Sequence, residues 1–265
     1  MPRGRAEAGR ALRVTWRRSL NLAGLMVILG WLASACRPAP TPAPVSLHVA
    51  ATDLAAPLLA DLAQSYAAAR PQTPLLAVTA PLSTLAGDLA AGRADLALTT
   101  TNAPDQFATP LGSVVLIIIV NPANPLSQLS ASQVRAVFAG QVTDWAQVGG
   151  PAGVIQVVSR EDHSDGAEAF GRLALAGTPP TLNALVAPSW AAMRDAVSQN
   201  PNAIGYMPAP EIEAGVRPVN LDQPLRALIV AAAPQAPTGA AREFLAWAQS
   251  PAGQEVVAQR YEAVK

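Results

Sequence analysis

The chain of 265 residues balances 18 basic against 18 acidic side chains and is 51% hydrophobic, with two histidines and one cysteine. One cysteine excludes an intrachain disulfide, and so small a stock of His and Cys disfavours a zinc centre. Six of the basic residues, Arg3, Arg5, Arg10, Arg13, Arg17 and Arg18, fall in the first eighteen positions against the single acid Glu7. A mainly apolar stretch follows over residues 20–35 and ends at Cys36. A positive leader, a short apolar core and small residues before a cut site read as a secretory signal over residues 1–35. The apolar stretch is shorter than the roughly 20 residues of a spanning helix, which leaves an uncleaved anchor as the lesser alternative.

Without that leader the chain keeps 12 basic and 17 acidic residues and no run of Lys or Arg. A mildly acidic surface of this kind argues against nucleic acid as a partner. Leu32-Ala33-Ser34-Ala35-Cys36 resembles the bacterial lipobox, in which the thiol is alkylated with diacylglycerol, although Ala33 stands where the lipobox prefers Leu. Cys36 is therefore expected to be a lipid anchor; ordinary cleavage near Ala35 with a free thiol is the bland alternative. Residues 36–46 are Pro-rich, lack side chains able to build a core, and read as an extended tether.

Residues 47–50 read as a strand and 55–69 as a helix, with Leu58, Leu62 and Tyr66 on one face and Pro57 in the first turn. A second strand is expected over 75–79, a helix over 84–91 capped by Ser83, and a third strand over 94–99. Strands alternating with helices imply a parallel sheet with crossover helices. Ligands of such sheets sit at the C-terminal strand ends, where helix N-termini present free amides. Thr52, Ser83 and Thr100 fall at three such ends. Each on its own is more often a cap or turn residue; their joint recurrence favours a ligand crevice.

The run 114–120 (VVLIIIV) reads as a strand buried on both faces. A helix over 132–138, a Trp-containing turn over 143–148, a strand over 154–158 and a helix over 167–175 follow. Strands over 203–206 and 226–231 and helices over 242–249 and 253–260 complete the chain.

The stretch 136–151, AVFAGQVTDWAQVGGP, followed by Ser159-Arg160-Glu161-Asp162-His163-Ser164-Asp165-Gly166, resembles a signature of phosphate-type substrate-binding proteins of ABC transporters. That family runs IFSGKITNWKEVGGP and then SREEGSGTRDAF. Ala94-Asp95-Leu96-Ala97-Leu98, Val120-Asn121-Pro122, Asn202-Ala203-Ile204-Gly205-Tyr206 and Ser250-Pro251-Ala252-Gly253-Gln254 are similar to further family segments in the same order. The resemblance implies an α/β, two-lobe class II periplasmic-binding fold, each lobe a mainly parallel sheet flanked by helices, with the ligand cleft between lobes. Residues 47–114 plus 226–265 would form lobe one and 115–225 lobe two.

The resemblance also implies a site. Thr52, Leu54 (through its amide only), Ser83 and Thr100 would bind an anion from lobe one, and Arg160, Ser164, Asp165 and Gly166 from lobe two. In lobe one, Leu54 stands where the family has Thr; in the lobe-two loop, His163 and Asp165 stand where it has Gly, and Gly166 where it has Thr. A carboxylate in an anion site is repulsive, by roughly 4 kcal/mol at 4 Å and an effective dielectric of 20. Asp165 therefore has three readings: a helix cap turned away from the cleft, a proton acceptor for a protonated phosphate, or the mark of a changed ligand. For Arg160 the alternative to ligand binding is a surface ion pair with Glu161 or Asp162, which would contribute little.

The function so implied is that of a lipid-anchored extracytoplasmic solute-binding subunit of an ABC importer. It would capture phosphate or a related oxyanion as a monomer, without cofactor, metal or catalytic activity, and deliver it to permease subunits. A degenerate binding domain serving as a sensor or adhesion module, and a receptor retuned to another small solute, are the competing readings.

Overall fold

The computed structural model describes residues 46–264. The leader, Cys36 and the tether as far as residue 45 lie outside the described residues. Strands β1 (Leu47–Ala51), β2 (Leu75–Thr79) and β3 (Leu96–Thr99) are joined by helices α1 (Ala56–Ala69) and α2 (Leu82–Ala90). β1 lies between β2 and β3 and is parallel to both, the crossover arrangement expected from the alternating pattern. α1 forms because Leu58, Leu59, Leu62 and Tyr66 share one face and all are buried, while Pro57 occupies its first turn. Tyr66 meets Phe244 and Trp247 edge-on, each at 5.2 Å between ring centroids, which fixes α1 against α6 (Gly239–Ala248).

The sheet continues through the long strand β4 (Phe107–Val120). Its order is β2-β1-β3-β10-β4-β8-β6-β7, with β10 (Leu225–Ala233), β8 (Ala203–Pro208), β6 (Gln156–Arg160) and β7 (Leu185–Ala187). β4 is antiparallel to both β10 and β8, whereas β6 is parallel to β8 and β7. Leu225 pairs with Leu116 and Arg226 with Val115, so the two passages of chain between the halves of the sheet run side by side. The short strands β5 (Gln128–Leu129), β9 (Arg217–Leu221) and β11 (Glu262–Ala263) attach around β4. Helices α3 (Ala131–Phe138), α4 (Asp165–Leu173), α5 (Trp190–Gln199) and α7 (Pro251–Ala258) complete the layers.

Several bounds differ from the sequence reading, and one helix is absent from it. β4 starts at Phe107 rather than near 114, because its ladder with β10 runs on to Ala233 past a register shift between Ile229 and Val230. α2 starts at Leu82 with Pro81 as its N-cap residue, which places Ser83 inside the first turn rather than at the cap. α4 begins at Asp165, two residues earlier than expected. α5 was not anticipated, although Ser189 caps it and Trp190, Met193 and Val197 form its buried face.

Candidate anion-binding cleft

Thr52 follows β1 directly. Its amide donates to the Leu98 carbonyl at 3.0 Å, tying this loop to β3. Thr99 ends β3 and Thr100 follows it, so both hydroxyl-bearing loops lie at C-terminal strand ends, where a parallel sheet places its ligands. The residue that meets them comes from the other half of the sheet. Asp165 Oδ2 accepts from the Thr52 hydroxyl at 2.5 Å and from the Thr100 amide at 3.0 Å. Its Oδ1 accepts from the Thr100 hydroxyl at 2.6 Å, with the Thr99 hydroxyl at 3.5 Å. Asp165 is only 1% exposed, and these donors make its burial as a carboxylate tenable.

The cap reading of Asp165 is corrected by this geometry. Ser164, at φ −72° and ψ 150°, has the extended backbone of an N-cap residue and accepts from the Ala167 amide at 3.2 Å. Asp165 is instead the first residue of α4, and its side chain reaches across the cleft. A carboxylate there also stands at the positive end of the helix dipole.

The remaining predicted residues are placed differently. Ser164 gives its hydroxyl hydrogen to the Glu161 carbonyl at 2.7 Å, so in this state the group caps a helix rather than facing an anion. Gly166 admits the Trp190 indole: a Cβ there would come within 2.4 Å of the ring. The side chain of Leu54 lies in the hydrophobic core. Ser83 is exposed and is not among the donors gathered on Asp165. It lines an adjoining cavity of about 350 Å³, together with Asp53, Arg160, Glu161, Asp162 and Asp165.

Arg160 ends β6 and is 4% exposed. It forms no surface pair with Glu161 or Asp162. Its Nη2 donates to Asp53 Oδ2 at 2.5 Å and its Nη1 to the Ala187 carbonyl at 2.6 Å. The guanidinium carbon lies 4.7 Å from the centroid of the Trp190 ring, a cation–π distance, and Nε–H is buried with no protein acceptor. The Arg160 amide donates to the Tyr206 hydroxyl at 3.2 Å. Burial pushes the Tyr206 phenol above its ordinary pKa, and hydrogen bonding to Ser159 and to the Arg160 amide pulls it partly back. Tyr206 stacks on Phe170, with ring centroids 3.8 Å apart and planes nearly parallel, which holds the phenol that meets the Arg160 amide.

The sequence reading did not find Asp53 or a contact of Trp190 with the site. Asp53 adjoins Thr52, and that adjacency was the available signal; its partner lies 107 residues away. The cleft is thus a set of hydroxyl, amide and guanidinium donors that face carboxylates or carbonyls, apart from the Arg160 Nε–H, which has no partner among the described residues. Four carboxylates and one guanidinium line the adjoining cavity, so its field is acidic. Among the described residues no group of three or more His, Cys, Asp or Glu is arranged to hold a metal ion.

A family model described as a PBP superfamily domain matches residues 38–217. The chain belongs to the PBP superfamily. The phosphate-binding protein PstS of Bacillus subtilis (strain 168) is 28% identical over 88 residues, 33% of this chain and 29% of its own length. The matched stretch thus spans less than a third of that relative. A solved phosphate ABC-transporter substrate-binding protein from Clostridium perfringens, with bound phosphate, superposes with a TM-score of 0.75. The two are 20% identical over 83% of this chain and 100% of the other. OxyR from Corynebacterium glutamicum, at TM-score 0.62 and 16% identity, covers 93% of this chain and 76% of its own, so the fold extends beyond proteins with phosphate-receptor names. The architecture is the α/β, two-lobe class II periplasmic-binding fold.

Proposed function

We propose that the chain is the solute-binding receptor of an ABC importer and that its cleft takes an oxyanion of the phosphate type. One observation carries the reading: the Thr52 and Thr100 hydroxyls and the Thr100 amide converge on a pair of anionic oxygens. In the closed cleft those oxygens belong to Asp165. A tetrahedral oxyanion offers the same kind of acceptor at a similar spacing, and Arg160, once released from Asp53, adds a guanidinium able to bind two oxygens. The likeness to PstS and to a phosphate-bound fold relative supports the ligand class.

The acidic lining sets a condition on the ligand. A phosphate entering beside Asp165 must either displace its carboxylate or share a proton with it, because two bare anions in contact repel. Export by the leader and tethering through lipidated Cys36 would hold the receptor beside permease subunits. Two acyl chains anchor stably, where one is marginal.

The satisfied donors favour one competing reading, a binding domain that takes no oxyanion and serves as a sensor or adhesion module. Titration calorimetry of the purified full-length protein with phosphate, sulfate and molybdate separates the two. Phosphate should give saturable heat that Thr52→Val weakens. Absence of heat and of any thermal shift, in both the native protein and Asp165→Ala, favours the module.

A further inference from the structure

We propose that Asp165 is a built-in competitor for the ligand, a latch that holds the two lobes closed when no solute is bound. The inference rests on the cleft being a ligand site and adds a regulation of that site.

The latch is assembled from features that act together. Ser164 takes the capping position and leaves the Asp165 carboxylate free. Gly166 lets Trp190 lie against the first turn of α4, which fixes the rotation of the helix so that Asp165 points at lobe one. The carboxylate then takes hydrogen bonds from Thr52 and Thr100, the same groups assigned to the oxyanion. Two further ties cross the cleft beside it: Arg160 to Asp53 at 2.5 Å, and Arg172 Nη2 to the Thr100 carbonyl at 3.3 Å. All of these contacts join groups of the chain itself, so a solute entering the cleft must compete with Asp165 for its donors. If the open, competent state is only fractionally populated, apparent affinity falls by that fraction, and removing the latch restores it.

The test uses full-length Cys36→Ser protein carrying spin labels at Ala67→Cys on α1 and Gln199→Cys on α5, both exposed positions. Pulsed dipolar spectroscopy should give one short interlobe distance that added phosphate leaves unchanged. Asp165→Ala should lengthen and broaden that distance, phosphate should shorten it again, and phosphate affinity should rise by about 10-fold or more. Thr52→Val/Thr100→Val removes the two hydroxyl bonds from the other lobe, leaving only the Thr100 amide on the carboxylate, and should loosen the cleft without any gain in affinity. A long distance in the unliganded parent, or unchanged distances in both variants, overturns the latch. Opening in both variants with no phosphate binding to Asp165→Ala keeps the latch and refutes the phosphate reading.

Discussion

Arg160 and Asp53 are joined at 2.5 Å across the cleft, the arginine side chain 4% exposed and the aspartate 29%. The pair neutralises the only guanidinium that lines the cavity among the described residues and makes the two lobes mutually dependent. Removing one partner of a buried ion pair leaves the other charge stranded, at a cost of about 3–5 kcal/mol. Because Asp53 keeps some solvent contact, Asp53→Ala should sit near the lower end, about 3 kcal/mol by denaturant unfolding. Asp53→Ala/Arg160→Met should recover most of that loss. A double variant no better than the single would mean that Arg160 is held by Ala187 and Trp190 alone.

Gly166→Ala should destabilise by about 1–3 kcal/mol, because the new methyl overlaps the Trp190 ring and one of them must shift. Combining it with Trp190→Leu should relieve the strain. An unchanged melting temperature in Gly166→Ala would show that α4 and α5 separate easily, and would remove the support given to Asp165.

Ser164→Ala should cost about 1 kcal/mol, the usual penalty for a lost N-cap. Phosphate affinity should change little, because the hydroxyl is engaged with Glu161 and Ala167. A loss of affinity as large as that of Thr52→Val would show that Ser164 leaves its cap to meet the ligand.

Tyr206 gives the fold an alkaline limit. Its folded pKa is raised by burial, so the native state holds its proton above pH 10, where the unfolded chain releases it. Stability is therefore complete below about pH 10 and falls as pH climbs through the raised folded value. Tyr206→Phe should start less stable, having lost the Arg160 amide and Ser159 as partners, but lose less as pH rises. Parallel pH profiles for the two proteins would contradict this.

Much of the fold could be read from spacing. α1 and the parallel β1–β3 unit declare themselves through the Leu58-Leu62-Tyr66 stripe, Pro57 and the apolar runs between turns, all of them local signals. α5 was also locally encoded, by Ser189 and the spacing of Trp190, Met193 and Val197, but its mixed composition concealed it. The site was harder. Thr52 and Thr100 were found because strand ends can be read from sequence. Ser164 and Asp165 are adjacent cap-forming residues, and which of them caps is settled by a partner 113 residues away. The Arg160–Asp53 pair is likewise long-range, as is the contact that requires glycine at 166. Sequence spacing carries no information about such contacts until the sheet has brought the loops together.

The central claim, that the donors gathered on Asp165 form an oxyanion site, is tested most directly by phosphate titration of Asp165→Ala beside Asp165→Ala/Thr52→Val/Thr100→Val. The account predicts saturable heat in the first, exceeding that affinity in the native chain, and its loss in the second. Equal phosphate binding by both, or binding by neither, would contradict it.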